Sequence, residues 1–137
     1  MSESEQAPLN WVEKRHQAEK NFADSKNQLW HDLCSALANA SNSFNQLYGG
    51  KSEASRIHDR RFRVDLRASD QIDVDFNDQS GTINASYVSY PPRFRVRNFR
   101  IAADHESAFF TDENNTRLTP DEVSESILVP SFFQAER

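Results

Sequence analysis

Between residues 9 and 48 the chain contains neither glycine nor proline, the two residues that most readily interrupt a helix. Within that stretch apolar residues recur at Trp11, Ala18, Phe22, Leu29, Leu33, Leu37, Ala40, Phe44 and Leu47, always three, four or seven apart. That is one helical stripe held in a single register. Trp30 and Cys34 widen it in the second half. Pro8 suits a first helical turn and Gly49-Gly50 a C-terminal cap. One interruption is conceivable near residues 24–27, where Ser25 and Gln28 have the spacing of a capping box. The unbroken register favours one long helix across residues 8–50.

Residues 51–55 read as a linker, after which the period changes to two. Phe62, Val64 and Leu66 alternate with charged residues. So do Ile72, Val74 and Phe76; Ile83, Ala85 and Tyr87 alternate with small polar ones. These patterns predict half-buried strands between residues 56 and 111, separated by turn residues. Phe94 and Val96 begin a fourth strand, whose apolar positions then change parity to Phe99 and Ile101; a bulge near Asn98 would account for the change. Ala108-Phe109-Phe110 offers a short fifth strand. Thr119-Pro120-Asp121-Glu122 combines an N-cap, proline at the first helical position and glutamate three residues after the cap. It predicts a helix over residues 119–130, ended by Pro130.

The expected architecture is α+β in two layers: a long N-terminal helix, a four- to five-stranded antiparallel meander and a short C-terminal helix. Residues 1–7 are expected to form a disordered tail and residues 8–137 a single domain. No apolar run approaches the 18 residues of a membrane span, and Met1-Ser2-Glu3-Ser4-Glu5 leads into no apolar signal core. The expectation is a cytoplasmic protein with no membrane partner.

The net charge of −5 opposes binding to DNA or RNA. Arginines nevertheless cluster, as Arg56, Arg60, Arg61, Arg63 and Arg67 and again as Arg93, Arg95, Arg97 and Arg100. In a simple meander Asp73 and Asp75 lie within reach of Arg61 and Arg63. Arg93, Arg95 and Arg97 have no assigned counter-charge. With Tyr90 at the same parity, they are the candidate surface for an acidic protein partner or a small anion on the open sheet face.

A helix from Leu9 to Leu47 spans roughly 58 Å, whereas ten-residue strands reach about 34 Å. The overhang of more than about 20 Å implied by those lengths would expose Trp11, Ala18 and Phe22, the candidate self-association surface of a homodimer.

Catalytic signatures are absent. Three glycines leave no phosphate-cradling loop, and no nucleophile elbow is present. His31 and Cys34 share a helix face, but two ligands do not make a metal site, and Cys34 reads as a buried structural thiol. The reading therefore leans away from an enzyme and calls for no cofactor and no metal. The leading expectation is a protein-interaction module that self-associates through the long helix. The alternatives are anion or nucleic-acid binding by the arginine-rich strands and, ahead of it, a ligand-binding domain or enzyme with a pocket between helix and sheet. Tyr87, Phe99, Phe109 and Phe110 would line that pocket, with His58 or His105 at its mouth.

Overall fold

The computed structural model describes residues 8–66, 70–89 and 93–133, without the side chains of 89 and 93–95. The chain is α+β: a long helix, a seven-stranded antiparallel sheet and a short helix. The elements are α1 (Trp11–Tyr48), β1 (Ser52–His58), β2 (Arg61–Leu66), β3 (Asp70–Asn77), β4 (Thr82–Ser89), β5 (Arg93–Ala103), β6 (Ala108–Thr111), β7 (Arg117–Leu118) and α2 (Pro120–Phe132). Strand order in the sheet equals chain order. The expected tail at residues 1–7 lies outside the described residues.

Helix α1 runs unbroken through residues 24–27. It starts at Asn10, whose side chain accepts from the Glu13 amide while the Glu13 carboxylate accepts from the Asn10 amide. It stops at Gly49, which takes the left-handed conformation (φ 64°) that closes a helix and suits glycine. Its buried side chains are Trp30, Leu33, Cys34, Leu37 and Ser41, a stripe along one face. The partner stripe is the predicted strand alternation: Phe62, Val64 and Leu66, then Ile72, Val74 and Phe76, then Ile83, Ala85 and Tyr87 are all buried.

Two strands exceed the sequence expectation. The supposed linker at 51–55 begins β1, because the amide group of Asn45 on α1 serves as a surrogate strand partner. It donates to the Ser52 carbonyl and accepts from the Ser52 amide, each at 2.8 Å. The two residues of β7 extend the far edge.

The extra width changes the helix overhang. α1 crosses the sheet diagonally. Asn21 donates to the Asp104 carbonyl in the β5–β6 loop, Phe22 sits against Gly81 at the start of β4, Trp30 reaches the β1–β2 turn and Ser41 meets Ser52. Phe22 thus packs on its own core. Along α1 the longest unbroken run of exposed residues is 11–16, an overhang well short of the expected one.

The expected bulge near Asn98 is also absent. Pairing of β4 with β5 is continuous from Thr82↔Arg100 to Ser89↔Arg93. Phe99 and Ile101, both buried, set the inward parity of β5. Val96 falls on the outer parity and is 54% exposed. Arg97 falls on the inner one, opposite the buried Ala85.

Helix α2 has the expected Thr119–Glu122 capping box and proline in its first turn. It does not end at Pro130 but continues to Phe132. A proline deprives the carbonyl four residues earlier of its helical donor, here that of Ser126. The Arg97 guanidinium donates to this carbonyl at 3.3 Å, so the last turn loses little by the interruption.

Candidate functional site

Where α1 passes the β1–β2 turn, the two layers diverge and leave an open cleft of about 750 Å3. Asn27, Trp30 and His31 supply the helix wall, and Arg56, His58, Asp59 and Arg60 the turn; Phe76 and Asp78 close the far side. The floor is aromatic: the Trp30 ring stacks on Phe76 with centroids 5.3 Å apart and an interplanar angle of 19°. The indole N–H donates to the Asp59 carbonyl at 2.8 Å, which fixes the turn against the helix.

Charge is distributed unevenly around that floor. The Arg60 guanidinium pairs with Asp78 at 2.7 Å, and Lys26 donates to the Asp78 carbonyl. Arg56 is different. It shares the helix-facing parity of Ser52 and Ala54, and its recorded contact is the Cys34 thiol, 3.9 Å away. Among the described residues no carboxylate lies within ion-pair distance of it. Burial pushes that thiol up to about 11, against the opposing pull of the guanidinium. Arg56 therefore faces a neutral thiol, and most of its donors are uncommitted among the described residues.

The imidazole of His58 adds a second donor. Its Nδ1 accepts from the Arg60 backbone amide at 3.2 Å. A nitrogen that accepts carries no proton, so in the neutral ring the proton sits on Nε2. Chemically the cleft offers guanidinium N–H groups and imidazole donors together with the carboxylates of Asp59 and Asp78, over two aromatic rings that are largely buried. Guanidinium and imidazole N–H groups are donors suited to an anionic oxygen.

The other residues singled out in the sequence are scattered. Of the expected pocket residues, His58 reaches the cleft. Tyr87, Phe99 and Phe110 are core side chains, and the Tyr87 hydroxyl donates to the Ile127 carbonyl at 2.6 Å. Phe109 lies beneath the Arg117 guanidinium, 3.8 Å from its centre. His105 sits in the β5–β6 loop beside Glu106. Asp104 in that loop is held down to about 2 by the Ser107 amide first, then by Arg117 and the Glu106 amide.

The arginine row is also dispersed. Arg97 turns toward α2, with Glu113 at 3.5 Å and the Phe99 ring at 5.3 Å; it has a counter-charge and does not lie on the open face. Arg93 and Arg95 pair through their backbones with Ser89 and Tyr87; their side chains and Tyr90 lie outside what the structure describes. Arg61 and Arg63 stand opposite Asp75 and Asp73 in register and bind them at 2.6 and 2.7 Å. Of the self-association residues, Trp11 is 76% exposed, Ala18 half-buried and Phe22 part of the core rim. Cys34 is buried, and among the described residues no three potential ligands converge on a metal position.

Sequence reasoning missed Arg56, Trp30, His31 and Asn27 as one site. Arg56 on a helix-facing parity was the available signal, legible only once β1 is recognised as a strand. No family model matches the chain, and neither a curated protein nor a solved structure is significantly similar to it.

Proposed function

We propose that the protein is a ligand-binding domain that takes a small organic anion in the cleft between α1 and the β1–β2 turn. The observation that carries this reading is Arg56, a guanidinium on the helix side of the sheet whose recorded partner is a neutral thiol. The side chain is exposed and among the described residues has no carboxylate partner, so its donors are open to a phosphate or carboxylate from outside. The small exposed parts of Trp30 and Phe76, 3% and 4%, add apolar contact for a ring, and Asp59 favours a ligand with hydroxyls.

The test is calorimetric titration with AMP, ribose 5-phosphate and inorganic phosphate. AMP is expected to bind most tightly, with a salt dependence. Arg56→Gln is expected to weaken it about tenfold or more, the loss of one charge-assisted contact. His58→Gln should weaken it less. Absence of binding by all three anions, or equal affinity in Arg56→Gln, would overturn the proposal.

A second reading concerns Leu9, Trp11 and Val12, which are 42, 76 and 53% exposed at the helix overhang. Aromatic and aliphatic side chains clustered in solvent favour burial against a second copy of the chain. Light scattering of the wild type and of the double variant Trp11→Ser, Val12→Ser tests it. A dimer that becomes a monomer supports the reading; a wild-type monomer at all concentrations refutes it.

A further inference from the structure

Building on self-association through the α1 overhang, we propose that the overhang of one copy seats in the groove between the last turns of α1 and helix α2 of a second copy. Among the described residues eight large apolar side chains are exposed, and five of them lie at the two ends of α1. Leu9, Trp11 and Val12 stand at its start; Leu47 and Tyr48, 77 and 67% exposed, stand at its finish. The groove beside the second group holds about 320 Å3 and is walled by Phe44, Leu47 and Tyr48 from α1 and by Leu128 and Phe132 from α2. Its walls offer aromatic and aliphatic surface on which an indole can pack.

Charge selects the occupant. Asp121 and Glu125 line the groove, both exposed, and among the described residues no basic one does. On the overhang Lys14 and Arg15 follow Trp11 by three and four residues, so they neighbour it on the helix surface. Glu13 is engaged in the cap at Asn10. Among the described residues Lys14, Arg15, Asp121 and Glu125 have no ion-pair partner within their own chain. A basic helix end bearing an indole and an acidic groove walled by rings are complementary in both charge and polarity. The two surfaces cannot meet within one molecule. Val12 and Phe44 are 32 residues apart on one unbroken helix, about 48 Å at 1.5 Å per residue. Between two copies they can meet twice. When a two-fold axis sets the α1 helices antiparallel, each overhang lies beside the other copy's groove, and the assembly closes as a dimer.

Light scattering and sedimentation over a concentration series read the dimer, and circular dichroism verifies that each variant is folded. The wild type is expected to dimerise. Leu47→Ser with Tyr48→Ser, changes at exposed positions of the groove, should weaken the dimer about tenfold or more. Lys14→Glu with Arg15→Glu should weaken it about tenfold as well, because like charges then face each other. Adding Asp121→Lys and Glu125→Lys to that same chain should bring the affinity back to within a few-fold of the wild type. A wild-type monomer at all concentrations would overturn the groove contact together with self-association itself. A Leu47→Ser, Tyr48→Ser variant that dimerises like the wild type would overturn the groove contact alone, since overhangs that pair with one another need no groove. A charge-reversed overhang that the reversed groove does not rescue would overturn it too.

Discussion

A single carboxylate organises the β5–β6 corner. Asp104 Oδ1 accepts from the Glu106 and Ser107 amides, at 2.8 and 2.9 Å, and Oδ2 pairs with Arg117 at 2.7 Å. Each contact favours the ionised form, which is why the group drops from 3.8 to about 2. A depressed carboxylate contributes stability above its unfolded value and loses it as pH falls through its folded one. The corner is therefore fully supported above about pH 4 and released between about 4 and 2. An NMR titration of the Ser107 amide should give a midpoint near 2. A midpoint near 3.8, the ordinary value, would mean the contacts do not hold in solution. The same corner anchors α1, because Asn21 donates to the Asp104 carbonyl. Asp104→Ala should accordingly loosen residues 17–22 in hydrogen exchange while sparing residues 30–41.

At the scale of elements, α2 persists past Pro130 only with help from another strand. Arg97 donates to the Ser126 carbonyl that the proline leaves without a helical donor. Arg97→Leu keeps a side chain against Phe99 but orphans that carbonyl, at an expected cost of about 1–2 kcal/mol. Pro130→Ala restores the intrahelical donor, so in the double variant the cost should largely vanish. Chemical denaturation of the four species measures it; additive losses would disprove the coupling.

The seating of α1 is tested similarly by two glycines. Gly49 and Gly81 both have positive φ, 64° and 77°. A Cβ at Gly49 meets nothing within 4 Å, whereas at Gly81 it would come within 2.6 Å of the Phe22 ring and 2.8 Å of the Ile101 carbonyl. Gly49→Ala should cost about 1–2 kcal/mol, the left-handed penalty alone, and Gly81→Ala distinctly more. Equal costs would mean that Phe22 is not seated there.

These elements also mark how much the sequence disclosed. α1, the three central strands and the start of α2 were readable because period and caps are local properties. β1 was not, since only Ser52 in it is buried and its first hydrogen bonds come from Asn45 on α1. Nor was the parity of β5, where Val96 imitates a core residue and Arg97 occupies a core-facing position. The cleft was hidden for the same reason. His31 and Arg56 are 25 residues apart, and only the diagonal crossing of α1 brings them to one place.

At the scale of the whole molecule, a seven-stranded open sheet must guard its edges. The β7 edge is two residues long. The β1 edge has its register interrupted between Arg56 and His58. A third edge is less obvious. β6 pairs with Arg100–Ala103 only, so from Arg93 to Phe99 β5 has β4 on one side and, among the described residues, no strand on the other. The sequence Arg93-Phe94-Arg95-Val96-Arg97 falls on that open edge. Alternating β-formers would make it a template for pairing with another copy, and charge at alternate positions opposes such pairing electrostatically. This accounts for an arginine row without requiring a ligand for it. Arg93→Thr with Arg95→Thr, leaving Arg97 on its carbonyl, removes two charges while retaining strand propensity. The variant should fold as the wild type by circular dichroism yet aggregate faster at high protein concentration. Turbidity and thioflavin fluorescence follow it, and the difference should narrow at low ionic strength, where the remaining charge repels over a longer range. If the variant stays as soluble as the wild type but loses retention of acidic peptides, the two arginines serve recognition and the edge is protected by other means.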